Sequence, residues 1–251
     1  MRLPEWLSDS EFKLGAFKFK CLLGDYHAVK TDEHQLVMLK NREVLTRQLD
    51  VYRGQDIKRA FEFGIFQGGS VVFLTECLEL ERMAALDFSQ PLEALDAILA
   101  RHGLTDRIRL TYGVSQSDRT RVDDVIRASF RPGDLDLIID DASHLYEHTK
   151  ASFEIAFPYL RPGGLYVIED WGWAHWPGYW QSPEARWRDR PAMSNFIFEL
   201  TMAVATSPRI FAELTILPGA AVVKKANTAP VGGVFEFDKT YALRGKALTH
   251  I

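Results

Sequence analysis

Residues 61–70, which read FEFGIFQGGS, contain the pattern that decides the fold. An apolar run precedes Gly64, the pair Gly68-Gly69 follows, and a second apolar run begins at Val71. This order is typical of a short strand, a glycine-rich turn and the start of a helix. Glycine lets a backbone approach a ligand closely, and free N–H groups at a helix start bind electron-rich ligand atoms. The same glycines are also compatible with a tight turn that binds nothing.

A second acidic position indicates what the turn binds. The apolar run 82–87 ends at Asp87, which lies 25 residues after Glu62. In dinucleotide folds, a carboxylate about 20 residues past the glycine turn binds ribose hydroxyls. Here the glycines depart from the G-x-G-x-x-G spacing, and Glu62 would repel a pyrophosphate. A ligand with an ammonium group and hydroxyls fits better, so we expect S-adenosylmethionine rather than NAD.

Between residues 60 and 170, short apolar runs alternate with segments of helical periodicity. The alternation predicts an α/β fold with a mostly parallel sheet and helices on both faces. Residues 162–164, Pro-Gly-Gly, predict a turn before a strand at 164–168. A helix is expected at 192–206, and strands at 210–216 and 220–225 are expected to form a C-terminal antiparallel hairpin. We divide the chain into an N-terminal helical cap segment, 1–55, with a helix at 36–52, and a second domain, 56–251.

Composition excludes several classes of protein. The 251 residues carry a net charge of −4, which gives no reason to expect nucleic acid binding. The two cysteines, Cys21 and Cys77, lack metal-type spacing and are expected to be reduced and structural. No apolar stretch is long enough for a transmembrane helix, and the N-terminus lacks a secretory pattern. We therefore expect a cytoplasmic protein with no membrane partner, and self-association into a homo-oligomer remains open.

Carboxylates are expected to converge at one edge of the sheet. Asp140-Asp141 and Glu169-Asp170 follow two predicted strands, and the carboxyl ends of parallel strands form the ligand-binding edge of an open α/β sheet. So many anions in one place repel each other unless a cation binds. A divalent ion such as Mg²⁺, which prefers oxygen ligands, would relieve this repulsion. The alternative is that these acids are solvated loop residues.

Five segments together resemble the class I S-adenosylmethionine-dependent methyltransferases, and most closely the metal-dependent O-methyltransferases of the catechol and macrolide-sugar (macrocin, mycinamicin) types. The resemblance covers about residues 59–171 and implies a Rossmann-like methyltransferase fold. The segments are FEFGIFQGGS, Asp87, YGVSQSD at 112–118, LIIDDASH at 137–144 and LRPGGLYVIEDW at 160–171.

The resemblance also implies roles for individual residues. Asp141, Glu169 and Asp170 would bind the metal, and His144, three positions after Asp141, would be the catalytic base. Histidine changes its charge near neutral pH, which suits it to take a proton. A structural histidine is the alternative, and His148 and His175 are further candidates. The expected cofactor-binding residues are Glu62, Gly64, Phe66, Gly68, Ser70, Asp87, Ser115, Gln116 and Asp140, with the adenine near Ser115 and Gln116.

Large aromatic residues crowd the segment after Asp170: Trp171, Trp173, Trp176, Tyr179 and Trp180. They are expected either to pack over the core or to wall a pocket for a sugar or aromatic ring. Arginines at 186, 188 and 190 would meet an acidic substrate or lie in a solvated loop.

The sequence thus predicts a Mg²⁺-dependent O-methyltransferase that acts on a small hydroxylated acceptor, such as a natural-product sugar, a polyketide or a catechol. Two alternatives stay open. One is a non-catalytic S-adenosylmethionine-binding protein, and the other is a metal-dependent hydrolase or hydroxylase-like enzyme that uses the same acids.

Overall fold

The computed structural model describes residues 1–22, 29–185 and 188–241. The chain divides into two compact units, Met1–Val114 and Ser115–Ile251. The boundary expected from the sequence, between residues 55 and 56, does not coincide with this division and stays a prediction.

The first unit begins with a four-stranded sheet. Its strands are β1 (Glu5–Trp6), β2 (Glu11–Leu14), β3 (Phe17–Cys21) and β4 (Leu36–Met38), in that order. The first three are antiparallel neighbours, and β4 runs parallel to β3. Phe12 and Phe19 are fully buried and stack with ring centroids 4.7 Å apart, because side chains of a strand alternate between its faces.

The expected helical character of residues 1–55 is therefore wrong outside α1, and so is the start of the predicted helix at 36, whereas the role of this segment as a cap stays a prediction. Residues 36–38 form β4, and helix α1 is Arg42–Tyr52. Asn41 starts this helix because its side-chain oxygen accepts a hydrogen bond from the Val44 N–H at 2.8 Å. A run of three buried apolar residues suits a helix or a strand equally, and the pairing of β4 with β3 decides for the strand.

The rest of the first unit alternates strands and helices: β5 (Arg59–Phe63), α2 (Gly69–Cys77), β6 (Arg82–Leu86), α3 (Glu93–Arg101) and β7 (Ile108–Thr111). Strand β6 pairs in parallel with both β5 and β7. The glycine-rich turn and Asp87 thus follow the carboxyl ends of two neighbouring strands.

The second unit continues the alternation with α4 (Arg119–Arg127), β8 (Leu135–Asp140), α5 (Tyr146–Ala156), β9 (Leu160–Glu169), α6 (Ser194–Thr206), β10 (Phe211–Leu217), β11 (Ala220–Lys225) and α7 (Asp238–Tyr241). Strands β8 and β9 are parallel, whereas β11 pairs antiparallel with β9 and β10. The predicted α/β class, with its mostly parallel sheet and its C-terminal antiparallel hairpin, is confirmed.

The Pro-Gly-Gly sequence lies inside β9 and does not precede it, so the predicted turn at 162–164 is corrected. Pairing with β8 shifts register here: Leu135 faces Leu160, and Leu137 faces Leu165. Gly163 has a φ of 76°, which glycine adopts readily. The residues form a local irregularity within one strand, as glycine and proline commonly do at bulges.

An aromatic cluster around Phe153 forms the core of the second unit. The fully buried Phe153 ring contacts Phe157, Tyr166 and Phe196 with centroids 4.9, 4.7 and 5.4 Å away. This cluster joins α5, α6 and β9 and thereby fixes the loops that leave β8 and β9. In the described part of the chain, no helix combines the length and the apolar character that crossing a membrane requires.

Candidate active site

Three predicted site residues come together in the second unit: Asp141, His144 and Asp170. One potential ligand atom from each lies within 4.8 Å of the others. Asp141 directly follows β8 and Asp170 directly follows β9, so parallel pairing of these strands brings the two carboxylates together. The His144 Nε2 atom is 3.8 Å from Asp141 Oδ1, and all three residues are partly exposed. We call this group the acid–histidine cluster.

Glu169, which was expected to bind the metal, lies outside this cluster. It is the last residue of β9, is 4 % exposed and faces Ala220 of β11. Of the three expected metal ligands, the cluster therefore brings together Asp141 and Asp170, with His144 beside them.

Backbone strain is concentrated at the predicted site. Four described non-glycine residues have φ in the left-handed region, and three of them are predicted site residues: Phe66 at 50°, His144 at 54° and Asp170 at 52°. This conformation is unfavourable for residues with a Cβ and occurs often at functional sites. Two hydrogen bonds hold it here: the Asp170 N–H donates to the Gly219 carbonyl at 2.8 Å, and the Trp173 indole N–H donates to the His144 carbonyl at 2.7 Å.

Gln116 links the core to the loop that carries His144. Its side-chain amide N–H donates to Asp140 Oδ1 at 2.9 Å, and its side-chain carbonyl accepts from the Ser143 backbone N–H at 2.7 Å. Asp140 is buried and also accepts hydrogen bonds from the hydroxyls of Ser152 and Tyr166. Burial raises the pKa of Asp140 to about 6, although these three donors act to lower it. Gln116 and Asp140, both predicted to bind the cofactor, thus have protein partners that position the loop.

The Asp87 carboxylate holds the glycine-rich turn of the first unit. Asp87 Oδ2 accepts hydrogen bonds from the N–H groups of Ile65 and Phe66 at 2.7 and 3.0 Å. Asp87 Oδ1 accepts from the Ser89 N–H at 2.7 Å. The carboxylate is partly exposed at the end of β6, so the predicted ribose contact would add to these bonds.

Two positions of the turn require glycine: Gly69 because of backbone packing, and Gly68 because of its left-handed φ of 79°. A Cβ on Gly69 would lie 2.3 Å from the Val37 carbonyl oxygen, and a Cβ on Gly68 would lie 2.3 Å from a Leu95 methyl carbon. Thr31 supports the turn as well, because its hydroxyl donates to the Gln67 carbonyl at 2.7 Å. The N-terminal segment therefore fixes the turn, a role that no sequence motif indicated.

The other predicted cofactor residues occupy the same turns. Glu62 is fully buried in β5, Gly64 has a φ of 98°, and Ser70 lies partly exposed in the first turn of α2. Ser115 is partly exposed, and its hydroxyl is 3.0 Å from that of Ser117.

The aromatic segment lines a cavity of about 290 Å³. We call it the Trp–Arg cavity; its lining residues are Trp173, Ala174, His175, Trp180, Gln181, Ser182, Arg188, Arg190 and Ala192. Trp173 is buried and Trp180 partly buried, whereas Trp176 and Tyr179 are exposed. His175 Nε2 is 2.8 Å from the Ser194 hydroxyl, and His148 lies partly buried on α5. Arg186 lies outside the described residues.

A sequence family described as "Methyltransferase domain" matches residues 61–171, the segment that holds the turn, Asp87 and the acid–histidine cluster. Over these residues the chain is similar to methyltransferase domains. The mostly parallel sheet and the closing hairpin together have the Rossmann-like methyltransferase fold.

Part of the chain is similar in sequence to two O-methyltransferases. It is 48% identical over 73 residues to mycinamicin VI 2''-O-methyltransferase of Micromonospora griseorubida. The aligned segment covers 29% of this chain and 17% of that protein. It is 57% identical over 49 residues to demethylmacrocin O-methyltransferase of Streptomyces fradiae. That aligned segment covers 20% of this chain and 12% of the relative.

A solved structure extends the similarity beyond these segments. MycE, a methyltransferase of the mycinamycin pathway in complex with Mg, SAH and mycinamycin VI, is 27% identical with a TM-score of 0.54. The match covers 73% of this chain and 49% of MycE. The chain therefore spans about half of the MycE chain and a smaller part of the two other relatives.

Proposed function

We propose that this chain is a divalent-cation-dependent O-methyltransferase that transfers the methyl group of S-adenosylmethionine to a hydroxyl of a small molecule, with a natural-product sugar as the favoured acceptor. The observation that carries the proposal is the acid–histidine cluster at the ends of β8 and β9. Similarity to MycE, which was solved with Mg and SAH, supports the same cofactors here.

The acid–histidine cluster fits a divalent cation. Asp141 and Asp170 offer the carboxylate oxygens that Mg²⁺ and Mn²⁺ prefer. Two carboxylates this close repel each other, so a cation stabilises the arrangement. A divalent cation lowers the pKa of a hydroxyl that it contacts.

His144 has a separate role in the proposal, as the base that takes the proton of the acceptor hydroxyl. Its ring is partly exposed beside Asp141, and the indole of Trp173 holds its backbone. Proton transfer to a positioned side chain typically contributes 10²–10⁴-fold to a rate. We assign Glu62, Asp87 and the turn 64–70 to the cofactor, which supplies the methyl group, and Ser115 to the region of the adenine.

The experiment combines cofactor binding with turnover. The purified chain is titrated with S-adenosylhomocysteine by calorimetry, then incubated with S-adenosylmethionine, Mg²⁺ and either mycinamicin VI or demethylmacrocin, and methylated product is measured by mass spectrometry. We expect binding and metal-dependent product. Absence of binding would refute the methyltransferase proposal, and binding without transfer would favour a non-catalytic binder. Formation of methylated product in excess EDTA would refute the proposed requirement for a divalent cation. Cytoplasmic localisation and self-association remain predictions.

A further inference from the structure

We propose that the Trp–Arg cavity binds an anionic group carried by the sugar of the acceptor, so that the preferred acceptor is a sugar acid or a sugar phosphate. This inference rests on the proposed function, because it names the acceptor class of the same site. At about 290 Å³, the cavity lies near the lower limit of ligand pockets and suits roughly one ring with a substituent.

The charge of the cavity carries the inference. Arg188 and Arg190 are exposed at the cavity, His175 adds an imidazole, and none of the nine lining residues is acidic. Within the part of the chain that the structure describes, neither arginine forms a salt bridge. A guanidinium presents a planar set of N–H donors that matches carboxylate and phosphate oxygens. Asp189, which lies between the two arginines in sequence, is exposed but does not line the cavity.

The walls of the cavity suit a sugar ring. Trp173 and Trp180 both line the cavity, and their rings lie 5.8 Å apart at an angle of 48°. Gln181 holds this wall in place, because its side-chain N–H donates to the carbonyls of Ala174 and Trp176 at 2.9 Å each. Aromatic faces pack against the apolar faces of rings, while neighbouring polar groups bind their hydroxyls.

Trp173 connects the cavity to the acid–histidine cluster. Trp173 is a lining residue of the cavity, and its indole N–H donates to the His144 carbonyl at 2.7 Å. A sugar held against Trp173 therefore lies next to the loop that carries the proposed base. The anionic group would fix which hydroxyl of the ring is presented to His144.

A set of matched glycosides tests the proposal by binding, without turnover. The probes are 4-methylumbelliferyl β-D-glucoside, the corresponding glucuronide and the glucoside 6-phosphate, titrated by calorimetry at low salt. We expect the anionic glycosides to bind about tenfold more tightly than the glucoside, as for hydrogen bonds to charged groups. The ranking of carboxylate against phosphate identifies the preferred anion.

Arginine variants give the decisive comparison. Arg188→Gln combined with Arg190→Gln should abolish the preference while leaving the affinity for the neutral glucoside unchanged. The charge-matched control, Arg131→Gln with Arg209→Gln, changes two exposed arginines outside the cavity and should retain the preference. Trp180→Leu should weaken the binding of all three probes. Equal affinities in the wild type, or a preference that survives in the Arg188/Arg190 variant, would overturn the proposal. If the protein binds the anionic glycosides selectively but transfers no methyl group, the proposed anion site would be supported and the proposed methyltransferase function would be refuted.

Discussion

The side-chain carbonyl of Gln116 accepts a hydrogen bond from the backbone N–H of Ser143 at 2.7 Å, one residue before His144. The amide N–H of the same side chain donates to the buried Asp140 at 2.9 Å. One glutamine therefore joins a buried carboxylate to the loop that carries the proposed base.

Replacing Gln116 by alanine should leave Asp140 and the Ser143 N–H each without one partner. We expect a loss of about 1–3 kcal/mol in the free energy of unfolding, and a larger relative loss of turnover than of S-adenosylhomocysteine affinity. Urea denaturation and calorimetry measure the two effects. Thr228→Ala, which removes an exposed hydrogen bond to the Arg209 carbonyl away from the site, is the control. If the cofactor affinity falls more than the turnover, Gln116 binds the adenine directly, as the sequence suggested.

The metal ligands can be separated by charge-neutral substitutions. Asp141→Asn and Asp170→Asn should each abolish Mn²⁺ binding measured by electron paramagnetic resonance, because each removes an anionic ligand of the acid–histidine cluster. Both residues are partly exposed, so the melting temperature should change little. Glu169→Gln should keep Mn²⁺ binding, since Glu169 lies outside the cluster. If Glu169→Gln loses Mn²⁺ binding while Asp141→Asn retains it, Glu169 is a metal ligand, as the sequence predicted, and Asp141 is not required.

His144→Ala should lower turnover by about a hundredfold or more while S-adenosylhomocysteine affinity stays unchanged. A role in orienting or binding the metal would instead lower metal affinity, typically 10–100-fold, and saturating Mg²⁺ would then restore much of the rate. His148→Ala, on the following helix, serves as the control. Wild-type turnover in His144→Ala would exclude it as the base, and His175 would be tested next.

Gly69→Ala should destabilise the protein even without cofactor, because the new methyl group would lie 2.3 Å from the Val37 carbonyl oxygen. Overpacking of this kind typically costs about 1–3 kcal/mol. Gly172→Ala is a suitable control, since its φ is −92° and the nearest atom to the added Cβ is 3.5 Å away. An unchanged melting temperature in Gly69→Ala would show that the backbone segments at Val37 and Gly69 move apart at little cost in free energy.

Burial lowers the pKa of Lys225 to about 8, and the ammonium donates to the carbonyls of Phe157 and Leu160 at 3.0 and 2.9 Å. Above pH 8 the unfolded chain retains this proton while the folded chain loses it, so the free energy of unfolding should rise with pH. The rise is at most about 1.4 kcal/mol per pH unit between pH 8 and the ordinary lysine range. Urea titrations from pH 7.5 to 9.5 should show this slope in the wild type and its loss in Lys225→Met. The same dependence of the free energy of unfolding on pH in the wild type and in Lys225→Met would contradict this prediction.

The sequence was informative where local chemistry acts alone. Alternating apolar runs gave the α/β class, and acids after neighbouring strands brought Asp141 and Asp170 into one prediction. It was wrong at residues 36–38, because pairing of β4 with β3 is a long-range property that three apolar residues do not encode. The backbone angles of His144 and Asp170, and the partners of Gln116, also depend on distant segments, so no local pattern could show them.

The tip of the β10–β11 hairpin is in contact with the functional part of the second unit. The Gly219 carbonyl accepts from the Asp170 N–H, and the Leu217 carbonyl accepts from the Trp171 indole at 3.3 Å. Exposed hairpin tips usually tolerate grafted peptides and affinity tags. In this chain an insertion at Pro218 would displace both carbonyls and release Asp170 from its strained backbone, so protein engineers should place such insertions elsewhere.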